Sequence, residues 1–396
     1  MVQQPLERYR QAATGKIPPR HVQAIEKRVG IPDVSAATTH DLWAIYDKPG
    51  LHMDGNGRGT MLDVKIELAW RLLKKCSLCQ WRCGVDRTAG ERGYCNTGSE
   101  SYYFFEQILC GEEAPLIPSH EVFFSGCNMR CKFCYSWQSL EDTIYGKCFD
   151  PTHFAYMIEN RKAEGAVNLN LIGGEPTVHL PNILQAIGSL RSPVPIVWNS
   201  NFYMSDEAMR LLDGVVDLYL GDFKFGNNIC ASEIGGIENY FETAERNFKS
   251  AAASSDLIIR HLVLPGHVEC CFRPIANWVA QNLPGVPFNL MFQYTPFYQA
   301  LNDHALCRSL STEEINEART IASSLNLNTC EWNMPLNSEH QVASVGAGEI
   351  STTVIIRPDG QVAIMHLHSD LIKVVQSLEN GGKENGSIIR ATSKQG

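Results

Sequence analysis

The chain contains no run of eighteen or more apolar residues, so no segment has the length and hydropathy of a membrane-crossing helix. Positive charge is also scarce. Thirty-four Lys and Arg stand against 43 Asp and Glu, a formal net charge of −9. Phosphate recognition needs concentrated Lys and Arg, so no nucleic-acid partner is expected. The opening residues, Met1 to Arg8, are polar and lack the apolar core of a signal peptide. A cytoplasmic location is the expectation that follows. No long internal repeat is visible. At 396 residues the chain is far longer than a secreted disulfide scaffold.

What is present in excess is cysteine. Seven of the fourteen fall into two tight groups, Cys76, Cys79, Cys83 and Cys95, then Cys127, Cys131 and Cys134. In a reducing compartment such groups bind metal or do chemistry. Cys110, Cys148, Cys230, Cys270, Cys271, Cys307 and Cys330 are scattered, and a scattered cysteine reads as a small buried hydrophobe.

Residues 1–72 read as mostly helical, with the Gly55–Gly59 stretch as a loop and Met61–Lys75 as an amphipathic helix. Residues 76–118 are rich in Cys, Gly and turn residues, with one strand expected at Tyr102–Ile108. From residue 121 strands and helices alternate. Strands are expected at Glu121–Ser125, Val167–Ile172, Pro195–Trp198, Val215–Leu220, Leu257–Leu264 and Val286–Phe292. Helices are expected at Pro151–Ala163, Leu180–Leu190, Ser205–Leu212, Ile237–Ala252, Glu269–Gln281 and from the Ser311–Glu314 capping box to about Leu325. Alternation of this kind means βαβ units and a parallel sheet. Six units are too few for a closed eight-stranded barrel, so the expected fold is α/β, a partial six-stranded (βα) barrel. It carries a four-cysteine module before it and a small C-terminal extension after it. The domain reading is 1–72 helical extension, 73–118 four-cysteine metal module, 119–300 barrel core, and 301–396 C-terminal helix, hairpin and disordered tail. In that tail, Thr352–Pro358 and Gln361–His366 flank Asp359-Gly360 as a hairpin. His366 and His368 alternate on one strand face with Asp370 beyond; a metal pair is one reading, a solvated or substrate-facing strand the other.

The sharpest motif is Gly126-Cys127-x3-Cys131-x2-Cys134, directly after the first barrel strand. Three thiolates at this spacing wrap one face of a cube-shaped cluster and leave one iron open. A zinc knuckle fits less well, given the order of spacing and the aromatic Phe133 inside the last interval. The second strand closes on Gly173-Gly174-Glu175-Pro176, where glycines permit close backbone approach and a carboxylate can receive an ammonium group. Asn199 and Asn201 end the third strand, Asp222 and Lys224 the fourth. These place polar groups where ribose and carboxylate would lie, although strand-end capping is the plainer reading. Arg260 is a cofactor contact or a core-rim ion pair. Leu264, with Pro265, is an apolar platform suited to adenine. The four-cysteine module, Cys76-x2-Cys79-x3-Cys83-x11-Cys95, suits either a structural zinc or an auxiliary iron–sulfur cluster.

These segments resemble the radical S-adenosylmethionine (SAM) superfamily. At finer grain, roughly residues 60–325 look like the pyruvate formate-lyase activating enzyme-like family. The matching stretches run from Cys76, Phe123, Trp198, Asp213, Ile258 and Phe288. The resemblance implies a [4Fe–4S] cluster on Cys127, Cys131 and Cys134, with SAM chelated at the open iron. Gly173, Gly174 and Glu175 would contact the SAM amino group. Reduction would cleave SAM to methionine and a 5′-deoxyadenosyl radical, which takes hydrogen from a substrate. It also implies an electron donor such as flavodoxin or ferredoxin. The chain lacks the eight-cysteine ferredoxin-like insert of some activating enzymes, so a glycyl radical product does not follow. Three functions compete. One is hydrogen abstraction from a small molecule, leading to epimerisation, dehydrogenation or rearrangement. A second is activation of a glycine in a partner protein or peptide. The third is a non-catalytic metal-binding regulator, which the intact motifs disfavour. For an epimerase, Cys230 is the candidate hydrogen donor nearest a strand end.

Overall fold

Every strand of the expected parallel series is present in the computed structural model, each shifted by a few residues. The structure describes residues 5–31, 33–48 and 59–330 and the strands 341–346, 351–356 and 362–364. Four helices open the chain: α1 (Glu7–Ala13), α2 (Arg20–Glu26), α3 (Thr39–Asp47) and α4 (Met61–Lys74). The strands β1 (Tyr102–Leu109), β2 (Ser119–Phe124) and β3 (Lys147–Cys148) follow, with α5 (Trp137–Glu141) between the last two. Next come α6 (Pro151–Ala163), β4 (Asn168–Gly173), α7 (Leu180–Gly188), β5 (Ile196–Ser200), α8 (Asp206–Leu212) and β6 (Leu218–Asp222). Then α9 (Asn228–Gly235), α10 (Tyr240–Ser254), β7 (Asp256–Leu262), α11 (Arg273–Asn282), β8 (Phe288–Met291) and α12 (Thr312–Ser324) complete the series.

The sheet order is β3-β1-β2-β4-β5-β6-β7-β8. Neighbours from β2 to β8 pair in parallel, six strands in sequence order along a partial barrel. Such strands are covered on both faces and read as continuous apolar runs; all five residues of β5 are buried. Local signals set the helix starts. Asp150 accepts from the His153 N–H at 2.7 Å, and Pro151 occupies the first turn of α6. Capping boxes open α4 at Thr60 and α12 at Ser311. Pro274 lies in the first turn of α11, where a missing N–H costs nothing. A π-helical turn, Val268–Phe272, precedes it.

The N-terminal helices close the end of the barrel where the strands begin. Tyr9 is fully buried; its N–H donates to Asp256 at 2.6 Å, and its hydroxyl accepts from Asn168 at 2.7 Å. Arg8 pairs with Asp217 at 3.2 Å, and Asp217 also accepts from the Arg20 and Ile196 N–H groups at 2.9 Å. Burial pushes this Asp217 carboxyl up to about 6.

The chain divides into two units, Met1–Ile108 with Pro118–Glu331, and Leu109–Ile117 with Trp332–Gly396. The second holds a three-stranded antiparallel sheet of β9 (Gln341–Gly346), β10 (Ser351–Ile356) and β11 (Val362–Ile364), ordered β11-β10-β9. The expected hairpin is the β10–β11 pair; β9 had no clear sequence signal. His366, His368, Asp370 and the tail lie outside the described residues, as does most of the Gly55–Gly59 stretch. Among the described residues no helix is long and apolar enough to cross a membrane.

Candidate functional site at the C-terminal ends of the strands

The cysteine loop leaves β2 through Gly126, whose φ of 89° lies in the left-handed region. Backbone N–H groups of Arg130 and Lys132 donate to the Gly235 and Ile234 carbonyls, both at 2.8 Å. The Arg130 guanidinium donates to the Cys127 and Met129 carbonyls at 2.8 Å and to that of Tyr94 at 2.6 Å. These bonds fix the loop before any ligand binds. Cys127 and Cys131 are buried and Cys134 is half-buried. Burial, then the charges of Glu175 and the neighbouring thiols, holds Cys127 well above the ordinary thiol range. Burial and Cys131 push Cys134 up to about 12. Thiols so placed give up their protons to solvent readily only when a metal cation takes the sulfur. Together they do not form one of the donor groups closing within 4.8 Å, so the set suits a multi-iron cluster better than a single ion.

Gly173 and Gly174 are required by contact with the neighbouring strand. A Cβ on Gly173 would stand 2.2 Å from the Phe124 nitrogen, and one on Gly174 2.1 Å from the Gly126 oxygen. The Gly174 N–H donates to the Phe124 carbonyl at 2.7 Å. The close approach expected here thus first serves chain against chain. Glu175 follows, buried. Its Oε1 accepts from the Thr177 N–H at 3.1 Å, the Thr177 hydroxyl at 2.6 Å and the Ser200 hydroxyl at 2.8 Å; Oε2 accepts from the Asn201 N–H at 2.9 Å. With one of these donors on Oε2, that oxygen keeps acceptor capacity. Burial nevertheless raises the Glu175 carboxyl.

Asn201 joins the two motifs. Its Nδ2 donates to Asn128 Oδ1 at 2.7 Å and lies 3.7 Å from Cys127 Sγ. Asp222 Oδ1 accepts from Arg260 Nε at 2.8 Å, and Oδ2 from Lys224 Nζ at 2.7 Å. Burial alone would raise Asp222, but Arg260 and Lys224 outweigh it and hold the carboxyl down to about 2. Burial opposes the Lys224 ammonium, yet Asp222 and Cys131 raise it above its usual value. Arg260 also donates to Asn199 Oδ1 at 2.6 Å, while Asn199 Nδ2 is a buried donor with no partner. The pairing Asn170–Val197, Asn199–Leu220 and Asp222–Arg260 puts Asn170, Asn199, Asp222 and Arg260 on one sheet face. Neither amide atom of buried Asn170 has a partner. Leu264 is enclosed in the hydrophobic core.

The four-cysteine module is stitched to the exit of β5. Cys79 bridges to Met204, and Trp81 Nε1 donates to the Asn128 carbonyl of the cysteine loop at 2.8 Å. Trp81 stacks on Tyr94 with centroids 4.0 Å apart. Cys76, Cys79, Cys83 and Cys95 line one small pocket together with buried Arg87, whose NH1 has no partner. A zinc ion would draw its sulfurs to about 3.8 Å from one another, from Zn–S bonds of about 2.3 Å. Among the described residues the one donor group within 4.8 Å lies elsewhere. The four thiols and the buried Arg87 guanidinium make this pocket a candidate second metal centre, for zinc or for an iron–sulfur cluster.

Cys230 lies apart from the strand-end network, in the first turn of α9, a helix the sequence did not announce. It meets His267, Cys270 and Cys271. The close pair Cys270-Cys271, three residues after His267, was the available signal. Thr177, Ser200, Asn128 and Tyr240 were also missed; the Tyr240 hydroxyl accepts from the Lys224 N–H at 2.9 Å and donates to the Asp222 carbonyl at 2.9 Å.

A family model described as Radical SAM superfamily matches residues 122–279. An uncharacterized protein of Methanocaldococcus jannaschii is 38% identical over 318 residues, covering 76% of this chain and 93% of that protein. Streptococcus suis SuiB bound to precursor peptide SuiA is similar over 52% of this chain and 47% of that chain, at 12% identity and a TM-score of 0.40. HydG, a maturase of the [FeFe]-hydrogenase, is similar over 78% of this chain and 65% of that one, at 11% identity and a TM-score of 0.37. The chain spans about half the length of the SuiB structures it matches.

Proposed function

The chain belongs to the radical SAM superfamily, whose cofactors are a [4Fe–4S] cluster and SAM, and on that premise we propose that it abstracts hydrogen from a small polar molecule. Cys127, Cys131 and Cys134 are the residues that would hold the cluster. Cluster and SAM together supply a 5′-deoxyadenosyl radical. The chain's own residues bind, orient and exclude water. Glu175 Oε2 has acceptor capacity for the SAM ammonium, and Gly173 and Gly174 keep that turn against the cysteine loop. Asn199 Nδ2 offers a buried donor for a carboxylate or ribose oxygen. Asp222, Lys224 and Arg260 form a buried ionised group, one carboxylate between two cations, that keeps a net positive charge.

The observation that carries the reading is the bonded chain from Cys127 through Asn128 and Asn201 to Glu175. It ties the cluster loop to the proposed SAM-binding turn. Buried, unpartnered Asn170, on the same sheet face as Asn199 and Asp222, favours a small polar substrate over a glycine in a partner protein. At finer grain, the stretches from Cys76 to Phe288 support a pyruvate formate-lyase activating enzyme-like branch, of oxidoreductase or isomerase type. A flavodoxin or ferredoxin is the proposed electron donor. The four-cysteine module is proposed as an auxiliary iron–sulfur site.

Candidate small molecules deuterated at one carbon should pass deuterium into 5′-deoxyadenosine. Transfer only from a glycine-bearing protein or peptide would overturn the small-molecule reading.

A further inference from the structure

Cys230, His267, Cys270 and Cys271 are, among the described residues, the one group of three or more thiol, imidazole or carboxylate donors whose ligand atoms all lie within 4.8 Å. Cys230 Sγ is 3.8 Å from Cys270 Sγ and 3.6 Å from His267 Nδ1; His267 Nδ1 is 3.2 Å from Cys270 Sγ. A tetrahedral zinc with Zn–S of about 2.3 Å and Zn–N of about 2.0–2.1 Å sets S···S edges near 3.8 Å and S···N edges near 3.6 Å. A disulfide would use two of the sulfurs at about 2.05 Å and leave the imidazole unused.

The chain is built around this spot. Cys230 rides the first turn of α9, just beyond β6. His267 leaves β7, and Cys270 and Cys271 sit on the π-helical turn Val268–Phe272. Such turns are rare and concentrate at functional sites. Asn227 braces both segments. Its Oδ1 accepts from the Cys230 N–H at 2.8 Å, and its Nδ2 donates to the Cys270 carbonyl at 2.6 Å and to Cys230 Sγ at 3.3 Å. An N–H aimed at a sulfur is the usual support for a thiolate ligand. Gly226 lets the two loops touch, since a Cβ there would stand 2.0 Å from the Cys271 oxygen. The charged groups that reach His267 are Asp303, Glu233 and Glu314, all acidic, which favours a cation.

We propose that Cys230, His267, Cys270 and Cys271 bind one zinc(II) ion in a closed Cys3His site that clips the loop after β6 to the loop after β7. Binding takes three thiolates and a neutral imidazole, with the thiol protons released to solvent. Four protein donors leave no open position, so the site is structural. In it Cys230 is a ligand and not a hydrogen donor. The inference does not depend on SAM chemistry.

Two measurements on the full-length protein, purified anaerobically from zinc-supplemented growth, test it. Elemental analysis should show zinc falling by about one ion per chain in Cys270→Ser/Cys271→Ser, with iron and sulfide unchanged. In the wild type, iodoacetamide labelling of exposed Cys270, read on its tryptic peptide, should slow by about tenfold or more when zinc is bound, because metal-held thiolate is a poor nucleophile. Zinc equal in wild type and variant, iron in place of zinc at these residues, a Cys230–Cys270 disulfide, or labelling indifferent to one equivalent of zinc would each overturn it.

Discussion

At Glu175 each oxygen accepts at least one hydrogen bond, from Thr177 and Ser200 on Oε1 and from the Asn201 N–H on Oε2, which keeps room for another. A glutamine there presents an NH2 to an N–H or O–H in either orientation. Glu175→Gln should therefore cost about 1–3 kcal/mol of stability, measured by denaturant unfolding, and should also lower the rate of 5′-deoxyadenosine formation. Wild-type stability and rate in that variant would contradict the assigned role. Cys127, Gly174, Glu175, Asp222 and Arg260 could be singled out in the sequence as candidates because their motifs stand at or near strand ends. Their partners were not. Thr177, Ser200 and Asn128 are ordinary residues whose value comes from distance across the barrel mouth, which no local pattern encodes. His267, Cys270 and Cys271 escaped for a related reason: they meet Cys230 across 37 to 41 positions of chain.

Elements were read most accurately where a local device sets them. Asp150 and Pro151 placed α6 to the residue, and Ser311 with Glu314 placed α12 to within one. Strand ends fared worse. The expected third and fourth strands stop at Trp198 and Leu220, yet β5 runs to Ser200 and β6 to Asp222. Polar residues that look like exits are the last residues of the strands, and in β5 they are buried like the apolar residues before them. Between elements, one ion pair carries a pH test. Glu106 of β1 receives Arg161 of α6 at 2.8 and 2.9 Å and His120 of β2 at 3.0 Å. Burial would raise this carboxyl, but the hydrogen bonds from His120 and Arg161 outweigh it and hold it down to about 2. The unfolded value is about 4.3. A depressed carboxyl stabilises the fold fully above the unfolded value and loses that contribution as pH falls toward 2. Glu106→Gln should flatten the stability–pH curve over that window; an unchanged curve would show the pair contributes nothing.

Across the whole molecule, the N-terminal helices seal one end of the parallel barrel through Tyr9, Arg8 and Asp217, and the proposed site lies at the opposite end. The alternation of strands and helices made that polarity readable in advance. It could not show which metal sits in the four-cysteine module, since thiol spacing exists only in three dimensions. The proposal that the module holds an auxiliary cluster predicts two iron–sulfur centres. Anaerobic reconstitution should give about eight irons and eight sulfides per chain, falling to about four of each in Cys79→Ser. About four irons in the wild type would return the module to zinc.

The most direct measurement is 5′-deoxyadenosine release from SAM by the reconstituted, chemically reduced protein, with Cys127→Ala, Cys131→Ala and Cys134→Ala assayed beside it. The wild type should form deoxyadenosine and methionine, and each variant should form neither. Full deoxyadenosine formation by any of the three variants would contradict a cluster held by these cysteines.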